Sequence, residues 1–263
     1  MELRRRALDV LLLPDPAAKA AAAQALAAEP GRWPADPAAA PCPDRALPGR
    51  PARPRMVPPE QLPRRSPFTA TGRAALLHAV AHIELNAIDL ALDALWRFGG
   101  MPSAYYADWL RVAGEEALHF SLLAAHLATL GHGYGDFDAH DGLWAMCEKT
   151  AGDIVARMAL VPRTLEARGL DATPPMQARL ARAGDLRAVE ILAVILRDEV
   201  GHVAIGNRWY RWLCAREGLD PVAHYALLAA RHGAPRLRGP FNLAARRAAG
   251  FSQAEIAALE AAR

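Results

Sequence analysis

The sequence predicts an all-α protein: an antiparallel bundle of four long helices, with an N-terminal arm and additional C-terminal helices. Three observations carry this reading. Alanine and arginine are abundant while only 6% of residues are aromatic, a balance that favours helix. Between residues 70 and 216, apolar residues recur at three- and four-residue steps through long stretches. Glycine and proline stand at the ends of these stretches, where they stop and start helices. At 263 residues the chain can bury a sizeable core as one large domain or two small ones.

The first segment, MELRRRALDVLLLPDPAAKAAAAQALA, imitates an export signal, with arginines, a short apolar run and alanines beyond. Asp9 interrupts that run and Pro14 to Pro16 end it. An amphipathic helix is therefore expected, followed by a second helix opening at Asp15-Pro16. Residues 30 to 68 hold most of the prolines and lack helical periodicity, which predicts an extended arm that wraps a domain or links to one. Its Arg50, Arg53, Arg55, Arg64 and Arg65 are expected to be solvated or to pack on acidic surfaces, with nucleic acid as the alternative partner. The division expected is arm 1–69, bundle 70–216 and helical extension 217–263.

The first long helix is expected from about 70 to 98, on Leu77, Val80, Ala87, Ile88, Ala91 and Leu95, with Gly99-Gly100 stopping it. Pro102 opens the second, whose inward stripe is Tyr105, Trp109, Val112, Phe120, Leu123 and Leu127 before Gly131. A glycine-rich stretch, GHGYGDFD, follows. The third helix is expected from about 140 to 168, bent at Pro162 and ended by Gly169. A short helix over 174–183 leads to Gly184-Asp185, which begins the fourth, carrying Leu192, Ile195, Val203, Gly206 and Trp209. Asp220-Pro221 starts another helix, and Ser252 with Glu255 forms a capping box for the last.

The net charge of +3 is mild and the basic residues are spread along the chain, so a solvated surface is expected rather than a nucleic-acid tract. Nothing approaches 18 consecutive apolar residues, and no membrane span is expected. The three cysteines, Cys42, Cys147 and Cys214, are far apart. Neither a disulfide framework nor a zinc knuckle is indicated, and a reducing cytoplasm is the expected compartment. No glycine-rich phosphate loop or nucleophile elbow occurs.

One constellation carries chemistry. GEEALHF at 114–120 and RDEVGHV at 197–203 repeat the spacing ExxH in a chain with nine histidines. Residues three apart on a helix lie about 60° apart and roughly 4.5 Å along the axis, so Glu116 with His119, and Glu199 with His202, can each hold one metal ion. Glu84 lies 32 residues before Glu116, and Glu166 lies 33 before Glu199. The pattern E, then ExxH, is thus repeated at nearly equal spacing. Glu84 shares its helix face with Val80, Ala87, Ile88 and Ala91, where an uncompensated carboxylate costs several kcal/mol.

Four glutamates balance two divalent cations, and two neutral imidazoles complete the shells. Mixed carboxylate and imidazole ligation suits iron or manganese and leaves positions open for water, oxygen or substrate. Glu115 and Asp198 precede the two motif glutamates, and each is expected to orient a ligand histidine, with an exposed helix charge as the alternative. Gly169 follows Glu166 by three residues, so residues 170–184 would have to climb back along the bundle. Glu148 is the other candidate on the third helix. His82 is expected to pack, His78 and His126 to lie in the core or beside the ligands, Glu190 to be a surface charge, and Tyr105, Trp109 and Trp209 to be core residues rather than electron relays.

These paired elements resemble the ferritin-like di-iron carboxylate superfamily over about residues 70 to 216. More narrowly, GRAALLHAVAHIELNAIDLALDAL, EEALHF, LVPRTLEARGLDATP and RDEVGHV resemble an uncharacterised bacterial family of ferritin-like proteins, itself similar to the di-iron monooxygenase that hydroxylates a modified adenosine in tRNA. The resemblance implies two iron ions, or manganese or a mixed pair. It implies that Glu84 and Glu166 are terminal ligands, that Glu116 and Glu199 bridge, and that His119 and His202 each complete one metal.

The activity so implied is a di-iron oxidoreductase that uses dioxygen and an external electron donor to oxidise or hydroxylate an unidentified substrate, as a monomer or small homo-oligomer. RNA is a possible substrate, met by arginines such as Arg231, Arg236, Arg238, Arg246 and Arg247. The alternatives are a ferroxidase or peroxide scavenger, and a metal-stabilised scaffold without turnover.

Overall fold

The computed structural model describes residues 2–63 and 66–261; Arg64 and Arg65, named above, lie outside them. The regular structure of the described residues is helical, and strand-like pairing is confined to one isolated parallel bridge between Met56 and Ala139. The chain divides into two compact units, Met1–Trp144 with Ala183–Ile191, and Ala145–Arg182 with Leu192–Arg263.

The first unit opens with helix α1, Leu3–Leu11, capped by the Glu2 carboxylate, which accepts from the amides of Arg4 (2.7 Å) and Arg5 (2.6 Å). Helix α2, Pro16–Ala27, begins as expected, with Asp15 accepting from the amide of Ala18 at 2.7 Å and proline in the first turn. Helix α3, Ala70–Arg97, is capped by Thr69, and helix α4 spans Ser103–Thr129. Gly100 adopts φ +70° where α3 has ended, a conformation that side chains with a Cβ resist. By length and composition α3 could cross a membrane, yet 78% of its most apolar stretch is buried within the protein, so it is a core helix. The predicted stripe of α4, from Tyr105 to Leu127, is buried throughout.

Polar side chains fasten the arm to this unit. Arg4 is 3% exposed. Its guanidinium donates to the carbonyl of Trp96 at the end of α3 (2.8 and 3.1 Å), to those of Asp36 (3.1 Å) and Pro37 (3.3 Å), and to that of Ala39. A helix terminus and an irregular loop, both short of hydrogen-bond donors, are satisfied by one side chain. Lys19 on α2 donates to Asp89 on α3 at 2.5 Å and to the carbonyl of Gly49 at 2.9 Å, with both charged groups buried. Burial pushes Asp89 up to about 6, against the pull of Lys19. Arg50 pairs with Asp141 and Arg55 with Asp138, each at 2.5 Å, beside the backbone pairing of residues 55–57 with Ala139. Those two arm arginines thus pack on acidic groups, one of the two roles expected of them.

The glycine-rich stretch folds back on α3. The amide of Gly135 donates to His78 Nε2 at 2.9 Å, and Tyr134 stacks on the His78 ring with centroids 5.2 Å apart. His82 is a packing residue, as expected, with Nδ1 2.8 Å from the Tyr134 hydroxyl and Nε2 3.1 Å from the carbonyl of His140. His126 Nε2 lies 2.9 Å from Asp185, which also caps the next long helix by accepting from the amide of Ala188.

The second unit corrects the third-helix expectation. Helix α5, Gly142–Lys149, stops, and helix α6, Ile154–Leu160, restarts on the Asp153 cap. Buried Arg157 bridges the break by donating to the Cys147 carbonyl (2.6 Å) and the Thr150 hydroxyl (2.8 Å). A π turn, Val161–Glu166, contains Pro162, so the distortion expected there is present. The helix then runs past Gly169 as helix α7, Ala167–Arg182. An interior glycine costs only about 1 kcal/mol, which tertiary contacts offset here. Pro174 lacks the N–H that would bond the Leu170 carbonyl. The Asn242 side chain donates there instead at 3.2 Å, while Arg246 pairs with Asp171 at 2.6 Å. Residues 170–182 therefore continue the helix rather than returning as a separate segment.

Helix α8, Leu186–Glu217, begins where Gly184-Asp185 predicts. Helices α9, Pro221–His232, α10, Leu243–Ala248, and α11, Gln253–Ala261, complete the unit. Asp220 caps α9, and Ser252 and Glu255 exchange the two bonds of the capping box, at 2.7 and 3.2 Å. Ala167, Leu170, Val203 and Ala249 form a buried cluster.

Two stability tests follow from the first unit. Lys19→Met leaves the Asp89 carboxyl buried without its cation and should cost about 3–5 kcal/mol in chemical denaturation, much of it recovered in Lys19→Met/Asp89→Leu. Burial lowers His78 to about 4, and its Nε2 must stay unprotonated to accept from Gly135. A base depressed on folding contributes stability that is present above about 6.5 and lost as the pH falls toward 4. The native chain should therefore lose more stability than His78→Gln between pH 7 and pH 5, measured by urea unfolding.

Candidate metal centre

The site starts from three side chains of the first unit. Glu84 lies midway along α3 and is 3% exposed, while Glu116 and His119, one turn apart on α4, are fully buried. Helix geometry places residues three apart on neighbouring directions, and α3 supplies the third group across the contact. His119 Nδ1 lies 3.1 Å from Glu84 Oε2 and 3.3 Å from Glu116 Oε2. Burial disfavours a charged imidazole, but the hydrogen bonds and charges of Glu116 and Glu84 outweigh it and push His119 up to about 11. The two carboxylates thus favour the charged form of the imidazole that lies between them.

Glu199 completes the group. Glu84, Glu116, His119 and Glu199 each offer one ligand atom, all are buried, and these atoms lie within 4.8 Å of one another. Two ligands of one ion, each about 2.0–2.2 Å from it, stand at most about 4.4 Å apart, so an ion fits after shifts of a few tenths of an ångström. Three oxygen donors and one nitrogen donor form a set suited to divalent iron, manganese or zinc. A buried Glu/Glu/His/Glu group that could bind a metal ion is thus present.

Four of the six predicted ligands converge there. His202 is buried one turn beyond Glu199 on α8, its Nδ1 3.7 Å from Glu199 Oε1. Glu166, half-buried, is the last residue of the π turn and stands outside the group of four, whereas Glu148 is exposed on α5. Glu115 is partly exposed with Arg111 3.9 Å away, and Asp198 pairs with Arg197 at 2.8 Å. Glu190 is an exposed charge paired with Arg187, as expected. Tyr105, Trp109 and Trp209 are buried in aromatic contacts, the core role expected of them.

Among the arginines named as phosphate contacts, Arg231, Arg236, Arg238 and Arg247 are exposed, but Arg246 is fully buried against Asp171 and cannot meet an outside anion. Sequence reasoning missed Arg163, which is buried and bonded to Glu255 and Asn207. Its signal was an arginine inside the apolar run around LVPRTLE.

The fold and site define a class: an all-helical protein with a buried carboxylate and imidazole group that could hold metal. The chain belongs to the family described as "Protein of unknown function (DUF455)", whose model matches residues 12–257. It is similar to a Haemophilus influenzae (strain Rd) protein described as "Uncharacterized protein", with 53% identity over 213 residues that cover 78% of this chain and 74% of the relative. No solved structure matches.

A ligand that binds only the folded state stabilises it by RT ln(1 + [L]/Kd), about 2.7 kcal/mol at a hundredfold excess over Kd. Manganese or anaerobic ferrous iron should therefore raise the melting temperature by several degrees. In Glu84→Ala and Glu116→Ala the same additions should leave it nearly unmoved.

Proposed function

We propose that this chain is a ferritin-like di-iron oxidoreductase, with iron, manganese or a mixed pair as its metals. The observation that carries the reading is the buried convergence of Glu84, Glu116, His119 and Glu199. In this reading Glu166 and His202 would join these four as the remaining ligands of a set of six. Glu84 and Glu166 would be the terminal carboxylates, Glu116 and Glu199 the shared ones, and His119 and His202 the imidazoles. Glu166 is preferred to Glu148 because Glu148 is exposed. Bound there, the metal pair supplies reductive activation of dioxygen for oxidation or hydroxylation of an organic substrate, with electrons from an external donor.

The chain's own residues do the rest. Four carboxylates neutralise two divalent ions, so the loaded site carries no excess charge into the helical interior. Glu115 and Asp198, each one turn before a ligand histidine, hold the imidazole orientations. Val112, Phe120 and Leu123 on α4 and Val80 and Ile88 on α3 are buried and keep bulk water from the ligands. Three free thiols fit a reducing cytoplasm.

The test is metal content and oxygen uptake of the full-length chain reconstituted anaerobically with ferrous iron. Two ions per chain, and oxygen consumption that continues with added reductant beyond the amount of iron present, are expected. Glu116→Ala and Glu199→Ala should lose both. Uptake that stops once the added ferrous iron is oxidised would instead make the protein an iron handler. Folded protein that takes up no iron or manganese would overturn the reading.

A further inference from the structure

The π turn that ends at Glu166 is built rather than incidental. In an α-helix each residue turns the chain by about 100°, and a π turn inserts one extra residue, so everything after it is rotated by that amount relative to an unbroken helix. The direction taken by Glu166 therefore depends on whether residues 161–166 hold this turn. Three contacts hold it. Thr164 donates from its hydroxyl to the carbonyl of Ala159 at 2.7 Å and lies 3.0 Å from the Tyr225 hydroxyl of α9. Gly206 of α8 lies so close to Pro162 that a Cβ there would stand 2.6 Å from the proline Cβ. The third contact is Arg163.

Arg163 is 4% exposed. Its Nε donates to Asn207 of α8 at 2.8 Å, and one terminal nitrogen donates to Glu255 of α11 at 2.5 Å. The guanidinium also lies 4.8–5.2 Å from the rings of Tyr225, Tyr210 and Phe251. A planar fork held on two hydrogen bonds and three ring faces has one orientation, and a lysine cannot reproduce it. Glu255 is fixed in turn. It accepts from Arg211 at 2.9 Å and from the Ser252 amide at 2.7 Å, and although burial opposes its charge, Arg163 and these donors keep the carboxyl below its ordinary range. A packing role alone would need only the apolar stem of Arg163, yet both ends of its guanidinium are matched by acceptors from elements distant in sequence.

We propose that Arg163, gripped by Asn207 and by Glu255 of the last helix, is a positioning residue for Glu166: the clamp fixes the π turn and so presents the carboxylate to the second metal ion. This rests on the assignment of Glu166 as a ligand made above. It gives the C-terminal helices a task at the centre, since Glu255 lies 89 residues beyond Glu166 in the chain.

The test counts metal ions in the full-length chain and measures their affinities by chelator competition, with far-UV circular dichroism as the check on folding. The native chain should hold two ferrous or manganous ions. Arg163→Lys should keep the first ion at native affinity and weaken the second by about 10- to 100-fold, the range for groups that orient a ligand. Glu166→Ala should do the same, and Arg163→Lys/Glu166→Ala should be no weaker than Glu166→Ala alone, because one residue acts through the other. Glu255→Gln, which keeps the shape and removes the charge, should weaken the second ion and serves if Arg163→Lys does not fold. A folded Arg163→Lys or Glu255→Gln that binds both ions normally would overturn the clamp and leave the metal assignment standing, as would additive losses in the double variant. A native chain that binds fewer than two ions would overturn the assignment and the clamp together.

Discussion

Buried charge is the constraint on which this molecule depends. Glu84 and Glu116 sit within the helical core with His119 between them, and an isolated carboxylate in such surroundings is forced either to neutralise or to find a cation. His119 answers part of that demand, because its Nδ1 lies 3.1 Å from Glu84 and 3.3 Å from Glu116 and the two carboxylates favour its charged form. A divalent ion answers it more fully, because it can attract all the carboxylates of the group at once. The same geometry that favours a charged His119 therefore also suits a metal ion, which would compete with a proton for the imidazole nitrogen.

The rest of the structure repeats the solution with other ions. Lys19 answers Asp89, Arg163 answers Glu255, and Arg246 answers Asp171, in each case with a cation that is nearly or fully buried. Buried pairs of this kind add little net stability, since desolvation consumes most of their attraction. Their value lies in specificity: removing one member is costly, so α2 is held in register on α3 and the last helix on the π turn. Arg4 performs the equivalent task with carbonyls, closing the end of α3 and the arm with one guanidinium.

What the sequence discloses and what it conceals divide along one physical line. Local signals were legible: Asp15-Pro16, Pro102, Gly184-Asp185, Asp220-Pro221 and the Ser252 and Glu255 box start helices because a cap needs only its immediate neighbours. The ExxH pairs were legible because helix geometry fixes the relation of residues three apart. Gly169 misled, because its modest local penalty was offset by Asn242 and Arg246, which lie over 70 residues away. Lys19 with Asp89, and Arg163 with Glu255, were invisible for the same reason: no periodicity reports which distant carboxylate a buried cation will meet. The interruption of the third helix at Thr150 to Asp153 has its local signal in Gly152-Asp153, a breaker followed by a cap.

The measurement that tests this account most directly is anomalous diffraction at the iron edge from crystals of the chain loaded anaerobically with ferrous iron. Two peaks among Glu84, Glu116, His119, Glu166, Glu199 and His202 are expected, with Glu116 and Glu199 shared between them. Loaded crystals with iron bound elsewhere, and none beside Glu116 and His119, would contradict the claim that these buried carboxylates are a metal centre.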